Sequence, residues 1–222
     1  MPRARLLPGL FSSRVASVEV AFGAALTPLF DDEESLVARA VDKRRWEFRA
    51  GRHCARLALG ELGMSAAPLL SSPDRAPIWP AGIVGSITHT GAGSHAYAAA
   101  VVARSDEVRA LGLDAELAEP LAEGLWPRVL LPAERAFVDA LPEPERGLVA
   151  MLHFSAKEAF YKCQYPLTRR FLEFQDVEVR FELERNSFRA RLQVAPKNDD
   201  FALAGQFAWG DELLVTAVEL GV

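Results

Sequence analysis

Hydrophobic positions along the chain follow two rhythms. From Asp31 to Gly63 the run DDEESLVARAVDKRRWEFRAGRHCARLALGELG reads as helix, opened by acids suited to the positive end of the helix dipole and closed by Gly60 and Gly63. A break is expected near Asp42. At the other end, DVEVRFELE, FRARLQV, FALAGQFAW and ELLVTAVEL alternate apolar and polar residues and are separated by ERNS, PKNDD and GDE, the pattern of an antiparallel meander. Between these regions, residues 1–30 predict a strand or two with turns, and APLLSSPDRAPIWPAG is a Pro- and Ser-rich loop presenting Arg75, Ile78 and Trp79. GIVGSITHT is followed by HAYAAAVVA, which turns through RSDE into VRALGLDAE, and a β-hairpin is expected there. LPAERAFVDALP is a short helix with Pro132 in its first turn, and HFSAKEAFYKCQ is a second. Helices thus mix with mostly antiparallel strands. Each half has a helical segment and an apolar hairpin, which predicts a two-lobed α+β protein.

The composition agrees with a soluble globular chain: 222 residues, 50% hydrophobic, 25% charged and 9% aromatic. The net charge of −5 argues against a nucleic-acid partner and requires any anion site to be a local basic patch. Cys54 and Cys163 stand far apart and outside any metal-ligand spacing, so both are expected as reduced structural thiols. The basic start MPRARLLPGLF is interrupted by Pro8 and Gly9, which disfavours a signal peptide. The stretch Val20 to Phe30 is too short for a membrane span, so a cytoplasmic location is expected.

Four features carry candidate chemistry. In GLDAEL, Asp114 and Glu116 lie two apart on an extended segment, so both carboxylates project from one face and repel unless a cation such as Mg²⁺ joins them. The alternative is a strand end whose acids face water. On the helix Lys43 to Leu62, Arg45, Arg49, Arg52 and Arg56 line one stripe, with Trp46, Ala50 and Leu57 opposite. The stripe is either a solvated face offset by Glu47 and Glu61 or a phosphate site. In FSAKEAFYK, Glu158 and Lys162 share a face with Phe154 and Ser155, and Lys157 sits at the side. They form either a surface ion pair or a third carboxylate with a phosphate-directed lysine. In SITHTGAGSH, His89 stands in a turn whose N–H groups could face an anion. The chain has no Ser-His-Asp order in its expected context, no Walker A loop and no G-x-G-x-x-G opening a helix.

The order of these pieces is more specific than any one of them. RRWEFRAGRHCARLAL, then DRAPIWPAGIVGSITHT, then LGLDAE, then FSAKEAFYK resembles the 4′-phosphopantetheinyl transferases of the Sfp type, most closely the enterobactin synthetase component D subgroup, over about residues 40–165. The resemblance implies a pseudo-twofold α/β fold with coenzyme A between the lobes. Residues 1–105 would bind the adenosine 3′-phosphate end and residues 106–222 would carry the metal and catalytic groups. By position, Asp114, Glu116 and Glu158 would hold Mg²⁺ on the pyrophosphate. Arg49, Arg52, Arg56 and His89 would bind the 3′-phosphate end, Arg75 would lie beside adenine, and Thr88 would touch a phosphate. Lys162 would meet the pyrophosphate, and Glu158 would take the proton of the carrier serine.

Three details depart from the family pattern: Phe154 stands where many relatives have Trp, Thr88 where they have Ser, and Ala115 offers no side-chain ligand between the two acids. The partner implied is an acyl or peptidyl carrier protein, with the subgroup pointing to a siderophore or other secondary-metabolic client and to a monomer. Arg128, Leu130 and Phe137 are candidate docking residues. The rival readings are a Mg²⁺-dependent nuclease or phosphodiesterase, whose lysine normally follows its acids on a strand, and a non-catalytic nucleotide- or carrier-binding protein.

Overall fold

The computed structural model describes residues 6–193 and 201–222, so the turn expected at PKNDD lies outside the described residues. Its architecture is α+β. Strands β1 (Ala16–Ala21), β2 (Ile83–Thr90) and β3 (Tyr97–Arg104) form an antiparallel sheet in the order β1-β3-β2. A larger antiparallel sheet in the order β4-β8-β7-β6-β5 contains β4 (Val108–Leu117), β5 (Val177–Glu182), β6 (Ser187–Leu192), β7 (Ala202–Trp209) and β8 (Leu213–Gly221). The last four are the meander that the alternation predicted. Each sheet carries a long helix, α2 (Asp42–Glu61) on the first and α5 (Glu143–Thr168) on the second, with α1 (Asp31–Val37), α3 (Trp126–Val129) and α4 (Pro132–Asp139) at the margins. The helical run is broken between Val37 and Asp42, as expected.

Of the runs in the expected hairpin, β2 and β3 pair antiparallel, with β1 on the other side of β3, whereas β4 leaves β3 to pair with β8. Burial explains the switch. Leu111 and Leu113 on one face of β4 join β3 residues such as Val101 and Ala103 in a single core cluster. The opposite face, Gly112, Asp114 and Glu116, is thereby turned toward α5. Gly112 allows that approach, because a Cβ there would lie 1.9 Å from the carbonyl oxygen of Ala159.

The two sheets meet along β2 and β4 through side chains rather than a backbone ladder. Ser86 and Thr88 alternate on β2, and their hydroxyls accept hydrogen bonds from the backbone N–H groups of Leu113 (3.1 Å) and Ala115 (3.0 Å). The alternation in SITHT therefore satisfies the outer edge of β4 and brings His89, Asp114 and Glu116 together. Among the described residues, no helix is long and apolar enough to cross a membrane.

Candidate active site

Asp114 is buried on β4, and three side chains hold its carboxylate. Lys162 donates to Oδ1 at 2.6 Å, Thr88 to Oδ1 at 3.5 Å and Ser155 to Oδ2 at 2.8 Å. Ser155 also hydrogen-bonds the hydroxyl of the fully buried Thr216 at 2.8 Å, so a chain from β8 through α5 fixes the carboxylate's orientation. Glu116, two residues on, accepts from Thr90 at 3.1 Å. Burial first, and then the charge of Asp114, pushes its carboxyl up to about 7, with Glu158 adding to the effect. Glu158 is likewise raised by burial and by Asp114, against the pull of Lys162. It has no hydrogen-bond or ion-pair partner among the described residues. Three carboxylates therefore share one neighbourhood with a single lysine.

The i,i+4 pair between Glu158 and Lys162 does not form. Lys162 reaches across to β4 instead, donating to Asp114 and, at 3.1 Å, to the carbonyl of Leu113. His89 lies not in a turn but on β2, paired with Ala98 of β3, so its backbone serves the sheet and its imidazole alone faces the site. The turn begins one residue beyond Thr90, at Gly91, where φ is +72°. Burial lowers the His89 pKa, and Arg44 and Lys162 act in the same direction against Glu47 and Asp114. The imidazole thus stands between the basic end of α2 and the carboxylates.

Arg44, outside the stripe that starts at Arg45, is a further residue that the structure brings to this group of side chains. Its guanidinium is 3.1 Å from Nε2 of His89 and 3.4 Å from Glu47. Position explains this: Arg44, Glu47 and Gly51 share the α2 face that meets β2, where a Cβ on Gly51 would lie 2.8 Å from Ile87. Gly51 marks that face. Arg52 is buried, stacked 4.2 Å over the Phe48 ring and bonded to the carbonyl of Leu69 and the hydroxyl of Ser71. Burial lowers its pKa to about 10, and the charges of Arg44 and Arg56 press the same way.

The remaining arginines divide by environment. Arg49 donates to the carbonyls of Leu26 and Thr27, not to His89. Arg56 is turned toward α1: its guanidinium is buried on Glu33 at 2.8 Å and also bonds Thr27 and Pro28. It lies some 18 Å along α2 from Arg44 at about 1.5 Å per residue. It ties α1 and the coil before it to α2. The stripe is thus solvated only at its start, where Arg45 is exposed and pairs with Glu34 at 3.4 Å, while Arg49 is half-buried, Arg52 and Arg56 are buried, and Leu57 on the opposite face is exposed.

Arg75 sits exposed at the tip of the 71–77 loop with a left-handed φ of +69°, and its guanidinium has no partner among the described residues. Asp74, beside it, accepts from Tyr165 of α5 at 2.5 Å, which docks the loop on the helix that carries Glu158 and Lys162. Thr88 uses its hydroxyl in both directions between the sheets, so the structure gives it a joining role. Of the candidate docking residues, Leu130 is buried, Phe137 is partly exposed, and Arg128 lines a cavity of about 650 Å³ beside Glu158, Tyr161, Phe171 and Phe174. Lys157, expected at the side, is buried.

The chain is similar to known proteins along most of its length. A model of the 4′-phosphopantetheinyl transferase N-terminal domain matches residues 32–103, and one of the 4′-phosphopantetheinyl transferase superfamily matches residues 110–212. The second match runs through the meander, beyond the span over which the motifs were legible. The chain is 43% identical over 185 residues to 4′-phosphopantetheinyl transferase PptT of Mycobacterium tuberculosis, covering 81% of this chain and 77% of that protein. It is 41% identical over 198 residues to 4′-phosphopantetheinyl transferase Svp of Streptomyces mobaraensis, covering 86% and 78%. Enterobactin synthase component D of Salmonella typhi matches at 38% over 125 residues, 54% of this chain and 48% of that protein.

Proposed function

The chain belongs to the 4′-phosphopantetheinyl transferase superfamily, and from that premise we propose that it moves the phosphopantetheine arm of coenzyme A to a serine of an acyl or peptidyl carrier protein, releasing 3′,5′-adenosine bisphosphate. One observation carries the reading: a set of three carboxylates, Asp114, Glu116 and Glu158, with Lys162 among them, stands beside a second set, Arg44 and His89, that shares the one carboxylate of Glu47. Coenzyme A has a 3′-phosphate for the second set and a pyrophosphate that needs the first.

Arg44, Arg52 and His89 bind the 3′-phosphate by charge-assisted hydrogen bonds, and Arg49 and Arg75 frame the adenosine. The pantetheine arm follows the cavity of about 650 Å³ that runs from Glu158 past Tyr161 to Phe171 and Phe174.

The donor set fits Mg²⁺. Asp114, Glu116 and Glu158 offer only oxygen, and the raised carboxyl of Glu116 records negative charge that a hard cation would relieve. Among the described residues they are not drawn into a closed three-ligand cluster. Bound there, Mg²⁺ would supply charge neutralisation to the pyrophosphate. Glu158, without a hydrogen-bond partner among the described residues and with its pKa raised, takes the proton of the carrier serine. The serine oxygen bonds to the phosphorus that bears the pantetheine, and the bond from that phosphorus to the bridging oxygen breaks, its electron pair leaving with the bisphosphate. Lys162, anchored on Asp114, offers positive charge to the oxygens on which charge builds.

In this reading residues 1–105 serve the adenosine end and 106–222 the chemistry, and the protein acts as a cytoplasmic monomer. The name of the enterobactin synthase relatives supports a siderophore client. The test is intact-protein mass spectrometry of an apo carrier protein incubated with the enzyme, coenzyme A and Mg²⁺, with an EDTA control. A gain of one phosphopantetheine group, lost with EDTA, is expected. No gain on any of several carrier types would overturn the transferase reading.

A further inference from the structure

Lys157 precedes Glu158 on α5 yet takes no part in the carboxylate cluster. Its ammonium is buried and gives its three protons to three separate elements: the carbonyl of Val129 at the end of α3 (2.7 Å), Glu134 of α4 (2.7 Å) and the carbonyl of Phe174 (2.9 Å). An ammonium has three donors, so this one is saturated and cannot reach a phosphate. Glu134 is held on both oxygens, accepting also from the backbone N–H groups of Leu131 (2.7 Å) and Val179 (2.6 Å).

Burial pulls the lysine pKa down and pushes the glutamate pKa up, each against the attraction of the other. A buried ion pair of this kind is weak evidence for stability, since apolar side chains of similar volume often do as well. Its placement is more informative. Val129 follows Pro127 and Arg128, which form one wall of the cavity beside Glu158, and Phe174 belongs to the 171–177 segment that forms the other. Gln175 adds a second tie, donating to the carbonyls of Pro127, Arg128 and Leu130 at 3.3, 3.1 and 3.2 Å.

We propose that Lys157 is a positioning residue: its ammonium, braced by Glu134, sets the separation of the two walls between which the pantetheine arm lies. The inference rests on the transferase reading above. In the K-E pair the lysine shapes the channel and the glutamate next to it faces the reacting end.

Coenzyme A and 3′,5′-adenosine bisphosphate share the adenosine end, and only coenzyme A has the arm. Calorimetric titration of both ligands into the wild type, the double variant Lys157→Met/Glu134→Gln and the single variant Glu134→Gln separates positioning from general support. The double variant removes both charges, keeps an acceptor for Val179 and leaves the core filled. Its dissociation constant for coenzyme A should rise about tenfold while that for the bisphosphate stays within about twofold. Glu134→Gln, which stands alone if the double variant does not fold, should shift the same ratio in the same direction by less. Unchanged coenzyme A affinity, or equal weakening of both ligands, overturns the proposal. A wild type that binds neither ligand overturns the transferase reading itself, a separate outcome.

Discussion

Lys162 donates to Asp114 at 2.6 Å, and Glu158, one helical turn before it on α5, has no hydrogen-bond or ion-pair partner among the described residues. The nearest helical neighbour loses to a carboxylate on another element because Gly112 lets α5 lie directly on β4. The pairing divides the acids by role. Asp114 is fixed by three hydrogen bonds, whereas Glu158 is free to accept a proton.

Asp114→Asn should therefore lower the rate of holo-carrier formation by about 10³ or more, the scale on which a group stabilising transition-state charge acts. The amide keeps its size and an acceptor for Ser155 but turns its NH₂ toward the Lys162 ammonium, so the melting temperature should fall while the variant still folds. Mass spectrometry of the carrier and thermal unfolding check the two halves. Near-wild-type transfer would remove Asp114 from the site.

Arg44 and Arg56 share a helix and should behave oppositely. Arg44→Ala, at an exposed residue on His89, should weaken coenzyme A binding about tenfold or more with little loss of stability. Arg52→Ala should also weaken it. Arg56→Met strands the carboxylate of Glu33, whose side chain is fully buried, and should cost about 3 kcal/mol of stability. Coenzyme A affinity of the folded protein should be unchanged in that variant. Calorimetry and urea titration distinguish these outcomes, and a tight-binding Arg44→Ala would break the proposed phosphate site.

These variants mark what was legible in the sequence. Two-residue alternation predicted β5 to β7 because one face of that part of the sheet is buried and the other is not, whereas β8, read with them, is buried on both faces from Leu213 to Val218. The acids of GLDAEL and the K-E-x-x-x-K spacing also stood out. The long-range partners did not. Nothing local tells Arg56 that Glu33 will be buried beside it, or Lys162 that β4 will come closer than Glu158. Two signals were present but unread: hydroxyls at alternate positions in SITHT, which mark a strand edge, and Gly51, which marks the α2 face carrying Arg44.

The contact at Gly112 gives a steric prediction. In Gly112→Ala the new methyl would lie 1.9 Å from the carbonyl oxygen of Ala159, so α5 must move from β4. Overpacking of this kind costs about 1–3 kcal/mol. Displacing Lys162 and Ser155 from Asp114 should also lower transfer about 10²-fold, because catalytic geometry tolerates little movement. Gly124→Ala, where an added methyl meets nothing within 4 Å, is the control and should change neither quantity. Full activity in Gly112→Ala would show that the close approach is not needed for the site.

His153 makes stability depend on pH. It is 1% exposed, with a ring nitrogen 2.9 Å from the carbonyl of Val149 and the Phe181 ring packed 4.7 Å away. Burial, helped slightly by the charge of Lys157, lowers its pKa from 6.5 to about 4. The folded state therefore holds fewer protons than the unfolded chain between those values, and stability falls as pH falls through that window. The contribution is fully present above about 6.5 and amounts to about 3 kcal/mol at 1.36 kcal/mol per pKa unit. His153→Gln has no imidazole to protonate. The stability difference between wild type and variant should thus shrink or reverse by that amount between pH 7.5 and 4, while other titrating groups cancel in the comparison. Urea unfolding of both proteins across this range measures it, and parallel curves would mean that the imidazole is solvated in the folded protein.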